Sequence, residues 1–165
     1  MNKKLKIYLD TSVINFLFAD DAPEKKEVTI DFFENYVAKE KYDVFISEVV
    51  FTVINDTSNQ KKKIQLLNVL KKYPIKYVEE NISDEIIYLA NQYITYNALP
   101  QNSKIDALHI AISVVNKIDI LLSWNYKHLV NFNRKRKVIN INLVNNYFYP
   151  FDILTPMEVI DYDNN

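Results

Sequence analysis

Residues 5–15 read LKIYLDTSVIN. A short apolar run over Lys6–Leu9 stops at Asp10, and Thr11, Ser12 and an amphipathic stretch follow at once. The run has the length of a strand, and the change of spacing after Asp10 predicts a helix start. A carboxylate therefore stands where a strand ends and a helix begins. In an open α/β sheet that place is the mouth at the carboxyl ends of the strands, where ligands bind. Asp10 is a candidate metal ligand on this ground.

Outward from this segment the chain alternates short β-like runs with longer helical patterns. Strands are predicted at 6–9, 44–46, 75–78, 120–123 and 138–139, several of them near-continuously apolar, as strands covered on both faces are. Helices are predicted at 24–39, where Val28, Phe32, Phe33, Tyr36 and Val37 recur at helical spacing, and at 59–72 with Ile64, Leu67, Val69 and Leu70. Ser83 opens a further helix to Thr95 with acids in its first turn, and Ser103 is predicted to cap one running to Lys117. The alternation implies a single-domain, three-layer α/β/α sandwich around a central, mostly parallel sheet of four to five strands.

Composition narrows the chemistry. The chain has 165 residues, no cysteine and two histidines. Disulfides, thiolate zinc sites and histidine clusters are excluded, so a metal would rely on oxygen ligands, which suits magnesium or manganese. Glycine is absent. The phosphate-cradling glycine loops of nucleotide enzymes are thereby excluded, and no nucleotide cofactor is expected. The 20 asparagines are expected to fill some left-handed turn positions instead. The apolar run before Asp10 is too short for a signal-peptide core. The stretch 107–124 is broken by His109, Asn116, Lys117 and Asp119, so a soluble cytoplasmic protein without a membrane span is expected.

Two further segments carry polar groups at comparable positions. In SKIDALHIAIS, 103–113, Asp106 lies near the positive end of the predicted helix, and His109 shares its face three residues on. Taken alone, Asp106 reads first as a stabilising first-turn acid, and His109 as a hydrogen-bonded structural histidine. In DILLSWNYKHLVN, 119–131, an apolar strand ends at Ser123 and is followed by Trp124, Asn125, Lys127 and His128. Trp124 reads as a core seal and Asn125 as a cap with similar weight. It is the joint occurrence of these groups at two strand exits and a helix start that favours a site.

YLDTSVIN, DALHIAIS and LLSWNYKHLVN, in that order and spacing, resemble the PIN-domain family, in the branch close to VapC-like toxins, over nearly the whole chain. The resemblance implies a ribonuclease that cleaves single-stranded RNA with Mg2+ or Mn2+, usually a homodimer, and in this branch the toxin of a toxin–antitoxin pair. It implies Asp10 and Asp106 as the metal ligands. Asn125 stands at a position where many members carry a further aspartate. A helix glutamate expected after the second strand falls on Val53, leaving Glu48 and Asp56 as nearby substitutes, and Glu48 joins Asp10, Asp106 and Asn125 as a candidate catalytic residue. With valine and asparagine in place of acids the pocket is short of negative charge, so a catalytically impaired PIN domain, acting as a nucleic-acid or protein binding module, is the alternative.

Net charge is −1, so no whole-protein field attracts RNA. Lys127, His128, Arg134, Lys135, Arg136 and Lys137 cluster after the candidate site and read either as a basic rim or as a solvated run. The nucleic-acid contacts expected are Thr11, Ser12, Lys104, Lys127, His128, Arg134 and Arg136. The 12 tyrosines are scattered and mark no stacking platform.

Overall fold

β1 (Lys6–Leu9) forms the centre of a five-stranded, all-parallel sheet in the computed structural model, which describes residues 3–161. From it the chain runs through α1 (Thr11–Asn15), a 3-10 turn (Phe16–Phe18) and α2 (Pro23–Phe32), which widens into a π-helical turn (Phe33–Val37), to β2 (Asp43–Ile46) beside β1. Next come α3 (Glu48–Asn55), α4 (Gln60–Lys72) and β3 (Ile75–Tyr77) outside β2. α5 (Asp84–Thr95) and α6 (Lys104–Val115) then carry the chain back across to β4 (Ile120–Leu122), on the other side of β1. α7 (Phe132–Val144), β5 (Asp152–Leu154) and α8 (Pro156–Asp161) complete the order β3-β2-β1-β4-β5.

Strand order reverses between β1 and β4, and the exits of those two strands frame a topological switch point. Right-handed crossovers send the helices of the two directions to opposite faces. The packing agrees, with α5 against α6 and α7, and α2 against α8. The three-layer sandwich is thus present, and the sheet is covered on both sides. Ile7, Tyr8, Leu9, Leu121 and Leu122 are fully buried, which explains the near-continuous apolar runs of β1 and β4.

The fifth strand differs from the sequence expectation. Residues 138–139 lie inside α7, whose first turn is capped by the Asn131 side chain accepting from the Arg134 N–H at 3.2 Å, and whose Val138 and Ile141 are buried three apart. That spacing is helical, and two apolar residues among basic and amide side chains were too few to show it. The edge strand is β5 instead, a three-residue run paired with β4. Ser83 caps α5 through Ile86 N–H as predicted, and the helices expected at 24–39 and 59–72 are α2 with its π turn and α4. Left-handed backbone occurs at Glu40, Asn97, Lys117 and Asn146, so asparagine supplies two of these four positions in a chain without glycine.

Candidate metal centre

Asp10 is the N-cap of α1, and its Oδ1 accepts from the Val13 N–H at 3.3 Å. The same oxygen accepts the Ser12 hydroxyl at 2.5 Å, and Oδ2 accepts the Ser123 hydroxyl, from the exit of β4, also at 2.5 Å. Ser12 in turn accepts the Trp124 N–H at 2.9 Å, and Ser123 the Asn125 N–H at 2.9 Å. The ends of β1 and β4 are therefore laced together through one carboxylate. It is buried, and burial, with a smaller contribution from the Asp106 charge, pushes its pKa up to about 6 despite the three hydrogen bonds that oppose the shift.

Asp106 stands in the first turn of α6. Burial raises its carboxyl as well, with His128 working against the shift through a contact from Nδ1 to Oδ2 of 3.4 Å. Ser103 occupies the N-cap of α6, but its hydroxyl makes no capping bond and instead lies 3.1 Å from His128 Nδ1. The predicted cap is thus diverted to hold the imidazole beside Asp106. Asn125 completes the group: its Oδ1 accepts the His128 N–H at 3.0 Å, capping the turn that follows β4, and its amide nitrogen faces Asp106 Oδ2 at 3.4 Å. A backbone N–H can only donate, which fixes the orientation of this amide. Asn125 consequently offers Asp106 a donor, and its carbonyl is engaged in the turn.

Asp10, Asp106 and Asn125 are thus brought together, with His128 beside them. Glu48 is not. It is exposed at the start of α3, its N–H bonded to Asn81 Oδ1 at 2.8 Å and its charge felt by Tyr77 on β3. Val53 is half-buried and Asp56 exposed, and among the described residues no three acids, histidines or cysteines lie close enough to share an ion.

The donors nevertheless suit a hard cation. Two desolvated carboxylates face one mouth, both held above the usual carboxylate range, with one imidazole and, among the described residues, no lysine or arginine bonded to either. Their oxygens keep lone pairs beyond those used by Ser12 and Ser123. Magnesium and manganese accept two carboxylates, with water and substrate oxygen supplying the remaining positions.

The expected nucleic-acid contacts separate into several environments. Ser12 is committed to Asp10 and Trp124, and Thr11 Oγ1 is buried without a hydrogen-bond partner. Lys104 is exposed at the start of α6. Lys127 and Arg134 line a cleft of about 470 Å3 with Lys137, although Arg134 is bound to the backbone oxygens of Ala98 at 3.0 Å and Lys127 at 3.1 Å. Arg136 lies over the Phe132 ring at 5.7 Å, and Lys135 is paired with Asp152 at 2.9 Å across to β5. The basic run is thereby distributed around α7 and does not form one stripe.

Beneath the mouth, sequence reasoning missed a buried polar junction. The Tyr8 hydroxyl lies 2.7 Å from Ser47 Oγ and 2.7 Å from His109 Nδ1, joining β1, the exit of β2 and α6. Burial holds His109 down to about 4, so it is neutral at pH 7 and structural, as its sequence position suggested. Alternation along β1 places Tyr8 and Asp10 on one face, the only advance signal of this junction.

No family model and no curated protein matches the sequence. Among solved structures, the chain is similar to one from the VapBC2 complex of Rickettsia felis bound to a DNA fragment from their promoter. The TM-score is 0.56 at 11% identity, covering 92% of this chain and 98% of that one. It is also similar to VapC20 of Mycobacterium tuberculosis, described as a sarcin-ricin loop cleaving toxin. There the TM-score is 0.50 at 16% identity, over 70% of this chain and 86% of that one. The parallel sheet, its strand order and these likenesses together give this chain the PIN-like fold of VapC-type proteins.

Proposed function

We propose that this protein is a Mg2+- or Mn2+-dependent endoribonuclease acting on single-stranded RNA, as the toxin of a toxin–antitoxin pair. The observation that carries the proposal is the convergence of Asp10 and Asp106, far apart in sequence, as two desolvated carboxylates at the switch point of the sheet. The fold shared with a cleaving toxin and with a complex of two partners supports the toxin and antitoxin assignments. Leu143 and Val144 at the end of α7 and Phe148 beyond it are exposed, which supports a homodimer as part of this reading.

Asp10 and Asp106 would hold the cation, which when bound supplies positive charge against a phosphodiester and an acidified water. Ser12 and Ser123 fix the Asp10 carboxylate from both sides, and Asn125 with His128 fixes Asp106. Val53 and the amide at Asn125 favour a second reading, a PIN domain that binds RNA or protein without cutting, since no third acid joins the pair among the described residues. Cleavage of a single-stranded RNA by the purified protein in Mg2+ or Mn2+, abolished in Asp10→Asn, is the expected result. No cleavage, together with no calorimetric binding of either metal at millimolar concentration, would leave the binding module.

A further inference from the structure

The exit of β4 carries a feature that the metal site does not use. Trp124, buried, linked to the Asp10 pocket by its backbone N–H to Ser12 and to α2 by its indole N–H to the Thr29 hydroxyl, has its ring against Phe16 at 5.8 Å and Tyr126 at 6.3 Å between centroids. The Lys25 ammonium, from α2, lies over all three rings, at 5.6 Å from Phe16, 5.7 Å from Trp124 and 4.9 Å from Tyr126. The Lys25 ammonium makes no ion pair or hydrogen bond among the described residues, and Tyr126 is 47% exposed. Four residues from three chain segments therefore set an uncompensated cation and an open aromatic ring beside the mouth, one residue from Asn125. Glu158, whose charge is felt by Tyr126, accepts from the Thr155 N–H and hydroxyl. The tyrosines are scattered in sequence, and the fold assembles a platform that no local pattern announced.

We propose that Tyr126 and Lys25 form a nucleotide subsite next to the acidic pair, where an unpaired base of single-stranded RNA stacks on the Tyr126 ring and a neighbouring phosphate is held by the Lys25 ammonium. This rests on the ribonuclease reading above. An aromatic face accepts any base but only when that base is unstacked from a partner strand, so the subsite selects single strands over duplex. Phe16 and Trp124 position the ring and the cation from below.

Trp124 is the only tryptophan, so its emission reports on this platform directly. The test titrates the full chain, in EDTA to prevent cleavage, with a labelled single-stranded RNA of about ten nucleotides and with the same strand annealed to its complement. Affinity is read by anisotropy and platform occupancy by Trp124 emission. The single strand should change the emission saturably and the duplex should not. Tyr126→Phe should bind like the parent, and Tyr126→Ala about tenfold more weakly. Lys25→Gln should flatten the dependence of log affinity on log salt by about 0.7. Parental affinity and salt slope in both Tyr126→Ala and Lys25→Gln, or equal binding of duplex, would overturn the subsite while leaving the ribonuclease reading standing. No RNA binding by the parent would likewise overturn the subsite, whereas the ribonuclease reading falls only if the cleavage and metal-binding assays in Mg2+ or Mn2+ both fail.

Discussion

The Asp10 carboxyl and the His109 imidazole are both buried, and they titrate in opposite senses. Asp10 has its pKa raised from 3.8 to about 6, so the stability carried by its neutral form is fully present below pH 3.8 and is lost as pH rises to about 6. His109 has its pKa lowered from 6.5 to about 4, so the stability carried by its neutral form is present above pH 6.5 and is lost as pH falls to about 4. Each shift corresponds to about 3 kcal/mol, and between pH 4 and 6 the two offset one another in the metal-free protein. Asp10→Asn keeps a good N-cap and removes one of the pair. Urea denaturation of that variant should show stability rising across this window more steeply than in the parent. A parallel pair of profiles would mean that Asp10 ionises without cost. Tyr8→Phe should lose about 1–3 kcal/mol in the same assay, because Ser47 and His109 lose their common partner in a buried setting.

Among the elements, α7 departs furthest from the reading of the sequence. Its helix is set by contacts that no local pattern encodes: the Tyr93 hydroxyl of α5 donates to Asn142 Oδ1 at 2.5 Å, with both residues buried. Tyr93→Phe should therefore destabilise the protein by about 1–2 kcal/mol, measured as a shift in urea midpoint without a change in slope. α5 and α6, by contrast, were legible, since Ser83 and Ser103 both mark their starts. Ser103 misled only in the use of its hydroxyl, which a partner from the β4 exit captured. The same limit applies to the site. Asp10 and Asp106 stand at element boundaries that sequence can locate. The facing of the Asn125 amide, the position of Glu48 away from the pair and the meeting of Lys25 with Tyr126 depend on how distant segments dock.

At the level of the whole molecule, the sheet order determines that the exits of β1 and β4 are neighbours and that α6 begins beside them, so the acidic pair is a product of topology. A divalent cation that binds there binds only the folded chain and must raise its melting temperature. Thermal scans with millimolar Mg2+ or Mn2+ should show an upward shift in the parent and none in Asp10→Asn. Equal shifts would place the ion elsewhere.

Glu40 and Lys117 adopt φ values of 50° and 53°, a conformation in which a side chain beyond Cα crowds its own backbone. Glu40→Gly and Lys117→Gly should each gain up to about 1 kcal/mol in chemical denaturation, an inversion of the usual penalty for introducing glycine. The chain thus holds a reserve of rigidity in two exposed turns that lead from a helix end into a strand, before β2 and before β4, available for engineering a hardier scaffold while the chemistry at the mouth is left as it is.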